Sequence, residues 1–276
     1  MDLNTITDVV RLGRHDALPQ WQDGDAWLSG GTWLFSEPQP DLRRLVDLTG
    51  LQWPAIEIDR GGLRIAATCT IAQLDGQSLA AEWTAAPLVG QCCRAFVASF
   101  KIWNTATVGG NICMALPAGP MISLACALDG MAVIWSPAGV ARQIPVLDFV
   151  SGARKTALAP VEVLREIVLP LSALTRRTAF RQTSLTQFGR SAALLIGTVA
   201  ANGGAFDLTI TAATSRPVRL SFAGHPKGDE LARSIAREIP DALYYDDIHG
   251  APEWRKHLTF ELAEDIRREL SGASVS

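Results

Sequence analysis

Apolar and polar positions change period many times along the chain, which predicts short strands and helices in mixed order. Residues 1–20 carry a short strand or helix signal. Ala26-Trp27-Leu28 is an apolar lead into Ser29-Gly30-Gly31-Thr32-Trp33, read as a strand, a Gly-rich turn and an irregular turn. Pro38 and Pro40 force extended chain. Leu42 to Leu48 alternates loosely as a strand that Asp47-Leu48-Thr49-Gly50 closes. Ile56-Glu57-Ile58, a turn over 59–62, and Leu63-Arg64-Ile65-Ala66 form a hairpin pattern. Thr70 is placed to cap a short helix over 70–74. From Pro87 to Phe100, Leu88, Cys92, Ala95 and Phe96 recur at helical spacing. Met121 to Leu128 reads as a buried helix stopped by Gly130. Met131 to Trp135 and residues 140–146 make a second hairpin around Pro137-Ala138-Gly139. Val161 to Ile167 follows Pro160, which suits a helix start, so a helix is expected there.

Leu171 to Arg177 is a polar link. Three strands are expected after it, over 178–183, 192–201 and 206–213, with a hairpin turn at Asn202-Gly203-Gly204. Residues 229–238 and 254–270 have amphipathic helical spacing. The organisation is α+β, with a larger domain over 1–171 and a smaller antiparallel sheet plus helices over 172–276. Regular βαβ alternation is missing, and neither a G-x-G-x-x-G after the first strand nor a P-loop is present, which excludes a doubly wound nucleotide fold.

Composition narrows the classes. The apolar share of 48% in 276 residues suffices for a real core. Net charge is −3 without a long basic run, so nucleic acid has no electrostatic footprint. The longest apolar stretches fall well short of the roughly 20 residues of a membrane span. Met1-Asp2-Leu3-Asn4 lacks a basic region followed by an apolar one, so no signal peptide is expected. The five cysteines form no C-x-x-C pair, and buried, reduced thiols in a cytoplasmic protein are expected. The four histidines are scattered, so no metal site is expected.

The candidate chemistry centres on Thr107-Val108-Gly109-Gly110-Asn111. Adjacent glycines permit φ > 0 and close backbone approach to a ligand. Successive N–H groups in such a turn make an anion-binding concavity. The segment is therefore read as a phosphate or pyrophosphate cradle; an ordinary tight turn is the other reading. The Gly30-Gly31 turn can grip the same extended anion from a second side.

These stretches carry a resemblance. Ser29-Gly30-Gly31-Thr32, Leu45 to Leu51, Thr107 to Asn111 and Pro117-Ala118-Gly119 resemble the FAD-binding medium subunit of the molybdenum hydroxylases, the xanthine dehydrogenase and carbon monoxide dehydrogenase family. Arg154-Lys155-Thr156, Val163-Leu164, Ile167 to Pro170 and Phe180-Arg181 follow in the family's order, so the resemblance covers nearly the whole chain. It implies a vanillyl-alcohol-oxidase-like (PCMH-type) FAD-binding domain of two α+β subdomains, then a small sheet-and-helix domain.

The resemblance assigns FAD contacts to Ser29, Gly30, Gly31, Thr32 and Trp33, and to Thr107, Val108, Gly109, Gly110 and Asn111. Asn104 and Thr105 would orient the second turn, Leu164 would pack near the cofactor, and Arg181 would lie near the flavin. For Leu164 plain core is the other reading, and for Arg181 a surface strand position. Two departures stand out. Leu116 replaces a serine, and Pro120 replaces an acidic residue that would contact the adenosine end. The resemblance implies an oxidoreductase subunit that takes electrons from [2Fe–2S] clusters to FAD and on to an acceptor. An iron–sulfur subunit and a molybdopterin-binding subunit would be its partners. No side chain need act as nucleophile or base. An FAD-deficient scaffold subunit is the alternative, and a free-standing flavoenzyme of related fold a third option. NAD, quinone, oxygen and a carrier protein all remain open as acceptor.

Overall fold

The computed structural model describes residues 3–139, 141–200 and 203–271. The chain begins with a three-stranded parallel sheet of β1 (Asp8–Arg11), β2 (Asp25–Leu28) and β3 (Arg44–Asp47), with β3 in the centre. Val46 of β3 packs in a small apolar cluster with Leu48 and Leu51, which follow the strand. Arg44 crosses to Asp25 on β2 with two hydrogen bonds, and that pairing lowers the Asp25 pKa.

The expected hairpin is present as β4 (Ile56–Asp59) and β5 (Gly62–Ala66). Next come α1 (Ile71–Asp75), α2 (Ala86–Ala95), α3 (Phe100–Trp103), α4 (Val108–Met114) and α5 (Pro120–Ala127). Thr70 caps α1 in a reciprocal box with Gln73, which satisfies two orphan amides. The second hairpin is β6 (Met131–Trp135) and β7 (Ala141–Pro145); Val140, expected at its edge, lies outside the described residues. Then follow α6 (Val146–Phe149), a small hairpin of β8 (Val150–Gly152) and β9 (Lys155–Thr156), β10 (Val163–Pro170) and α7 (Leu171–Leu174). The five-stranded sheet runs β4-β5-β10-β6-β7.

The expected helix over 161–167 is instead the central strand β10, antiparallel to both β5 and β6. A register shift between Leu164 and Glu166 breaks its alternation. The bulge leaves Val163, Leu164 and Ile167 buried, a spacing that imitates a helix. The Gly109-Gly110 turn is also corrected. Both glycines lie inside α4, and neither is among the described glycines with positive φ. The "link" at 171–177 contains the short helix α7.

The last third is an antiparallel meander of β11 (Arg177–Ser184), β12 (Ser191–Val199), β13 (Phe206–Thr211) and β14 (Val218–Phe222). The pattern showed three of these strands and missed β14. Ala201, expected to end the second of these strands, and Asn202, part of the expected turn, lie outside the described residues. The helices α8 (Gly228–Glu238) and α9 (Pro252–Leu270) match expectation. Leu195, Leu208 and Ile210 from the sheet pack with Ile235 and Ile266 from the helices. On the other face, Leu194, Ile196 and Ala212 join the main core with α2 and α5. Ser123 on α5 and Thr211 on β13 share a buried 2.6 Å hydroxyl contact across this seam. The Asp129 carboxylate also takes Arg176 and Arg219 there.

Candidate functional site

A cavity of about 730 Å³ opens where the first Gly-rich loop, α4, the 117–119 turn and the last sheet meet. That volume suits a ligand larger than a mononucleotide fragment. Ser29, Gly30, Gly31, Thr32 and Trp33 all line it. So do Thr107, Gly110 and Asn111.

The two Gly-rich segments are built to touch. A Cβ on Gly30 would stand 1.9 Å from the Thr105 carbonyl oxygen, so glycine is required for the loops to approach. The Ser29 hydroxyl donates to Thr107 Oγ1 at 3.1 Å. Thr107 is the N-cap of α4 and also accepts from the Gly110 N–H at 3.1 Å. Both lone pairs of that hydroxyl are thus taken, and its proton has no acceptor among the described residues. Asn111 Oδ1 accepts from Met121 N–H at 3.1 Å, which ties α4 to the start of α5. Its amide N–H groups have no acceptor among the described residues.

The backbone donors differ sharply between the segments. Val108 N–H bonds to Cys69 O, Gly109 N–H to Ala67 O and Asn111 N–H to Thr107 O. With Gly110 bonded to Thr107, all four amides are spent inside the protein. This part of α4 therefore offers a hydroxyl, an amide side chain and an open space at Gly110, not a ring of N–H groups. The N–H groups of Gly30, Gly31, Thr32 and Trp33 have no acceptor among the described residues. Gly31 has φ +67°, and Phe35 N–H bonds back to Gly31 O at 2.9 Å, which curls the loop. Such a curl of amides has the donor arrangement that can receive an anion.

The remaining expected residues sit elsewhere. Val108 and Gly109 are buried behind the cavity, with Gly109 pressed on Ala67. The Asn104 and Thr105 side chains bond back to Phe100 O and Lys101 O, closing α3 outside the cavity. Leu164 is buried in the main core and does not line the cavity. Arg181 lies on β11 and pairs with Glu269 at 2.6 Å, also away from it.

Other lining residues have no site role in the sequence reading, although Arg154 belongs to its Arg154-Lys155-Thr156 run. Arg154 places its guanidinium 5.5 Å from the centre of the Trp33 ring. Arg190, Tyr245, Asp247, His249 and Arg255 complete the far wall. Arg255 is 1% exposed and bonds to the carbonyls of Gly250, Ala192 and Ala212 and to the Asp247 carboxylate. Ala212 N–H in turn bonds to Pro117 O at 2.8 Å, so Arg255 fixes the 245–250 loop relative to the 117–119 turn. Of these arginines only Arg255 falls in a strongly patterned segment, at a polar position of the expected 254–270 helix. Cys113 also lines the cavity, and burial pushes its thiol pKa up to about 12, so it stays protonated at neutral pH. No helix among the described residues is long and apolar enough to cross a membrane.

The cavity has the parts a dinucleotide needs: a curled run of free amides, a free hydroxyl proton on the adjoining segment, and guanidinium groups without a partner among the described residues. Comparison with known proteins agrees. Residues 9–172 match the FAD binding domain in molybdopterin dehydrogenase. The chain is 40% identical over 73 residues to xanthine dehydrogenase of Oryza sativa subsp. japonica, covering 26% of this chain and 5% of that protein. It is 29% identical over 167 residues to the nicotinate dehydrogenase FAD-subunit of Eubacterium barkeri, covering 55% of this chain and 53% of that one. The match thus spans about half of one relative and a small part of the other. Reconstituted CO dehydrogenase from Oligotropha carboxidovorans superposes with a TM-score of 0.81 at 22% identity, over 99% of this chain and 100% of that chain, which shows a shared fold. Fold, cavity and a family match across more than half its length lead to one assignment: the chain belongs to the FAD-binding domain family of the molybdopterin dehydrogenases.

Proposed function

We propose that this protein is the FAD-carrying electron-transfer subunit of a heteromeric molybdenum-containing hydroxylase or dehydrogenase. One observation carries the FAD part: the unspent amides of Gly30 to Trp33 and the free hydroxyl proton of Thr107 line the same cavity, on two segments joined by the Ser29–Thr107 hydrogen bond. FAD, when bound, accepts and passes on electrons singly or in pairs. The protein's residues bind and orient. The 30–33 loop and Thr107 hold the diphosphate, while Gly110 leaves room for it. The Arg255-fixed wall bounds the other end. Residues 1–171 carry most of this site, and 172–276 close it. Electrons would arrive from [2Fe–2S] clusters of an iron–sulfur subunit, with substrate oxidised in a molybdopterin-binding subunit. Five free thiols suit a reducing cytoplasm.

The purified protein should be yellow, with absorbance near about 450 nm as for flavins generally, and one FAD per chain. A colourless protein that takes up no added FAD would refute this. It would favour a second reading, an FAD-deficient subunit that scaffolds the same complex. Pro120 motivates that reading: it is buried at the start of α5, where the resemblance calls for a carboxylate. Asp247, the one carboxylate lining the described cavity, is committed to Arg255.

A further inference from the structure

We propose that Arg154, stacked on the Trp33 indole, is the side chain that neutralises the ligand's diphosphate, and that its strained backbone is retained for this role. The inference rests on reading the cavity as an FAD site. Arg154 occupies the turn of the small hairpin, where Gly152 pairs with Lys155. Its φ is +58°, a left-handed conformation that costs a side-chain-bearing residue stability. Glycine or asparagine would fit that position with less strain. Strain of this kind persists where the surroundings enforce it, often at binding sites. Here Arg154 N–H bonds to Ala115 O at 2.8 Å. That bond pins the turn to the C-terminal end of α4, the helix that presents Thr107 at its other end.

The side chain is poised but unpaired. Its guanidinium lies over the Trp33 ring at 5.5 Å, and no described residue accepts a hydrogen bond from it. A guanidinium held through an aromatic face keeps its N–H donors available, and those donors match phosphate oxygens in pairs. Trp33 belongs to the loop with the free amides, so the cation is delivered beside neutral donors. Those donors alone would leave the two negative charges of a diphosphate without a counter-charge on this wall. Arg190, the other arginine of the cavity without a partner among the described residues, comes from a separate element and directly precedes Ser191 of β12.

The test uses full-length protein stripped of flavin, titrated with FAD and with riboflavin, which lacks phosphate. Arg154→Asn removes the charge and suits the left-handed backbone. It should weaken FAD binding at least tenfold, leave riboflavin binding unchanged, and leave the ligand-free melting temperature no lower. Arg154→Lys should recover part of the FAD affinity. The salt dependence of FAD binding should be shallower in Arg154→Asn than in the parent. Equal losses for FAD and riboflavin, or a lowered ligand-free melting temperature with FAD affinity intact, would mean that Arg154 only latches the loop. An unchanged FAD affinity, or a selective loss in Arg190→Met and not in Arg154→Asn, would overturn the assignment. A parent that fails to bind FAD would sink the cavity reading, and this inference with it.

Discussion

Adjacent glycines in α4 should fail in opposite ways when given a methyl group. A Cβ on Gly109 would lie 2.4 Å from Ala67 Cβ and 2.6 Å from Ala67 Cα, inside the packed seam with the β5–α1 loop. The backbone there is hydrogen-bonded and cannot retreat, so Gly109→Ala should cost about 1–3 kcal/mol of stability through overpacking. A Cβ on Gly110 would meet Thr107 Oγ1 at 2.9 Å and otherwise point into the cavity. Its φ is not left-handed, so no backbone strain is added. Helix propensity gains about 1 kcal/mol, and disturbing the Thr107 cap loses about 1 kcal/mol. Ligand-free Gly110→Ala should therefore melt within about 3 °C of the parent. Its FAD affinity should fall at least tenfold, because the methyl fills ligand space and tilts the Thr107 hydroxyl. Saturating FAD stabilises the parent by about 4 kcal/mol at a thousand times its dissociation constant, and a tenfold weaker site forfeits about 1.4 kcal/mol of that. Melting curves with and without FAD, alongside flavin-to-protein ratios, separate the two variants. Full FAD occupancy and an unchanged FAD-induced shift in Gly110→Ala would refute the placement of the ligand.

Arg255→Met should destabilise the protein by about 3–5 kcal/mol in denaturant titration, because it strands the Asp247 carboxylate and the carbonyls of Gly250, Ala192 and Ala212; a loss below about 1 kcal/mol would show that water replaces it freely. Hydrogen bonds from Arg267, then Arg268, lower the Glu264 pKa from 4.5 to about 2. A depressed carboxylate pKa stabilises above the unfolded value and loses that contribution as pH falls towards the folded one. Glu264→Gln should thus cost about 1 kcal/mol at pH 7, after allowance for solvent screening, and the gap should close between pH 4.5 and about 2; a gap that stays constant on acidification counts against this pairing. FAD should be held without a covalent bond: burial keeps the Cys113 thiol protonated, its pKa pushed to about 12, and acid precipitation, which would leave flavin linked to Cys113, Tyr245 or His249 in the pellet, should release all of it into the supernatant.

Much of the fold was legible because local signals agreed with tertiary ones. The Thr70–Gln73 box, the 56–66 hairpin and the apolar α5 each satisfy their own hydrogen bonds or bury their own face. β10 was not legible, because its bulge converts a strand's alternation into helical spacing. Gly109 and Gly110 looked like a turn. Glycine there serves close packing and ligand space in a helix, needs that only the facing residues reveal. In the site, the Gly-rich motifs located one wall. The far wall came from separate elements whose residues, such as Arg190 and His249, carry no spacing relation to one another. Arg154 was visible within its Arg-Lys-Thr run, but its stacking on Trp33 depends on a contact 121 positions back in the sequence.

The unequal use of amides in the two Gly-rich segments has a physical basis. A buried N–H without an acceptor costs about 1–3 kcal/mol. Val108 and Gly109 are buried, and their amides could stay open for a ligand only by losing that stability in the ligand-free protein. They are bonded instead to the carbonyls of Cys69 and Ala67. Gly30 to Trp33 are half-buried, so water can serve their amides until a ligand arrives. Binding then exchanges water for phosphate oxygens at donors already curled into place. The buried segment sets the shape of the cavity and aims one hydroxyl, while the half-buried loop supplies the exchangeable donors. Affinity should therefore be more sensitive to the conformation of residues 30–33 than to the much more regular Gly109-Gly110 helix start. The bulk of Trp33 is compatible with that demand because its indole turns towards Arg154, leaving its own N–H in the curl.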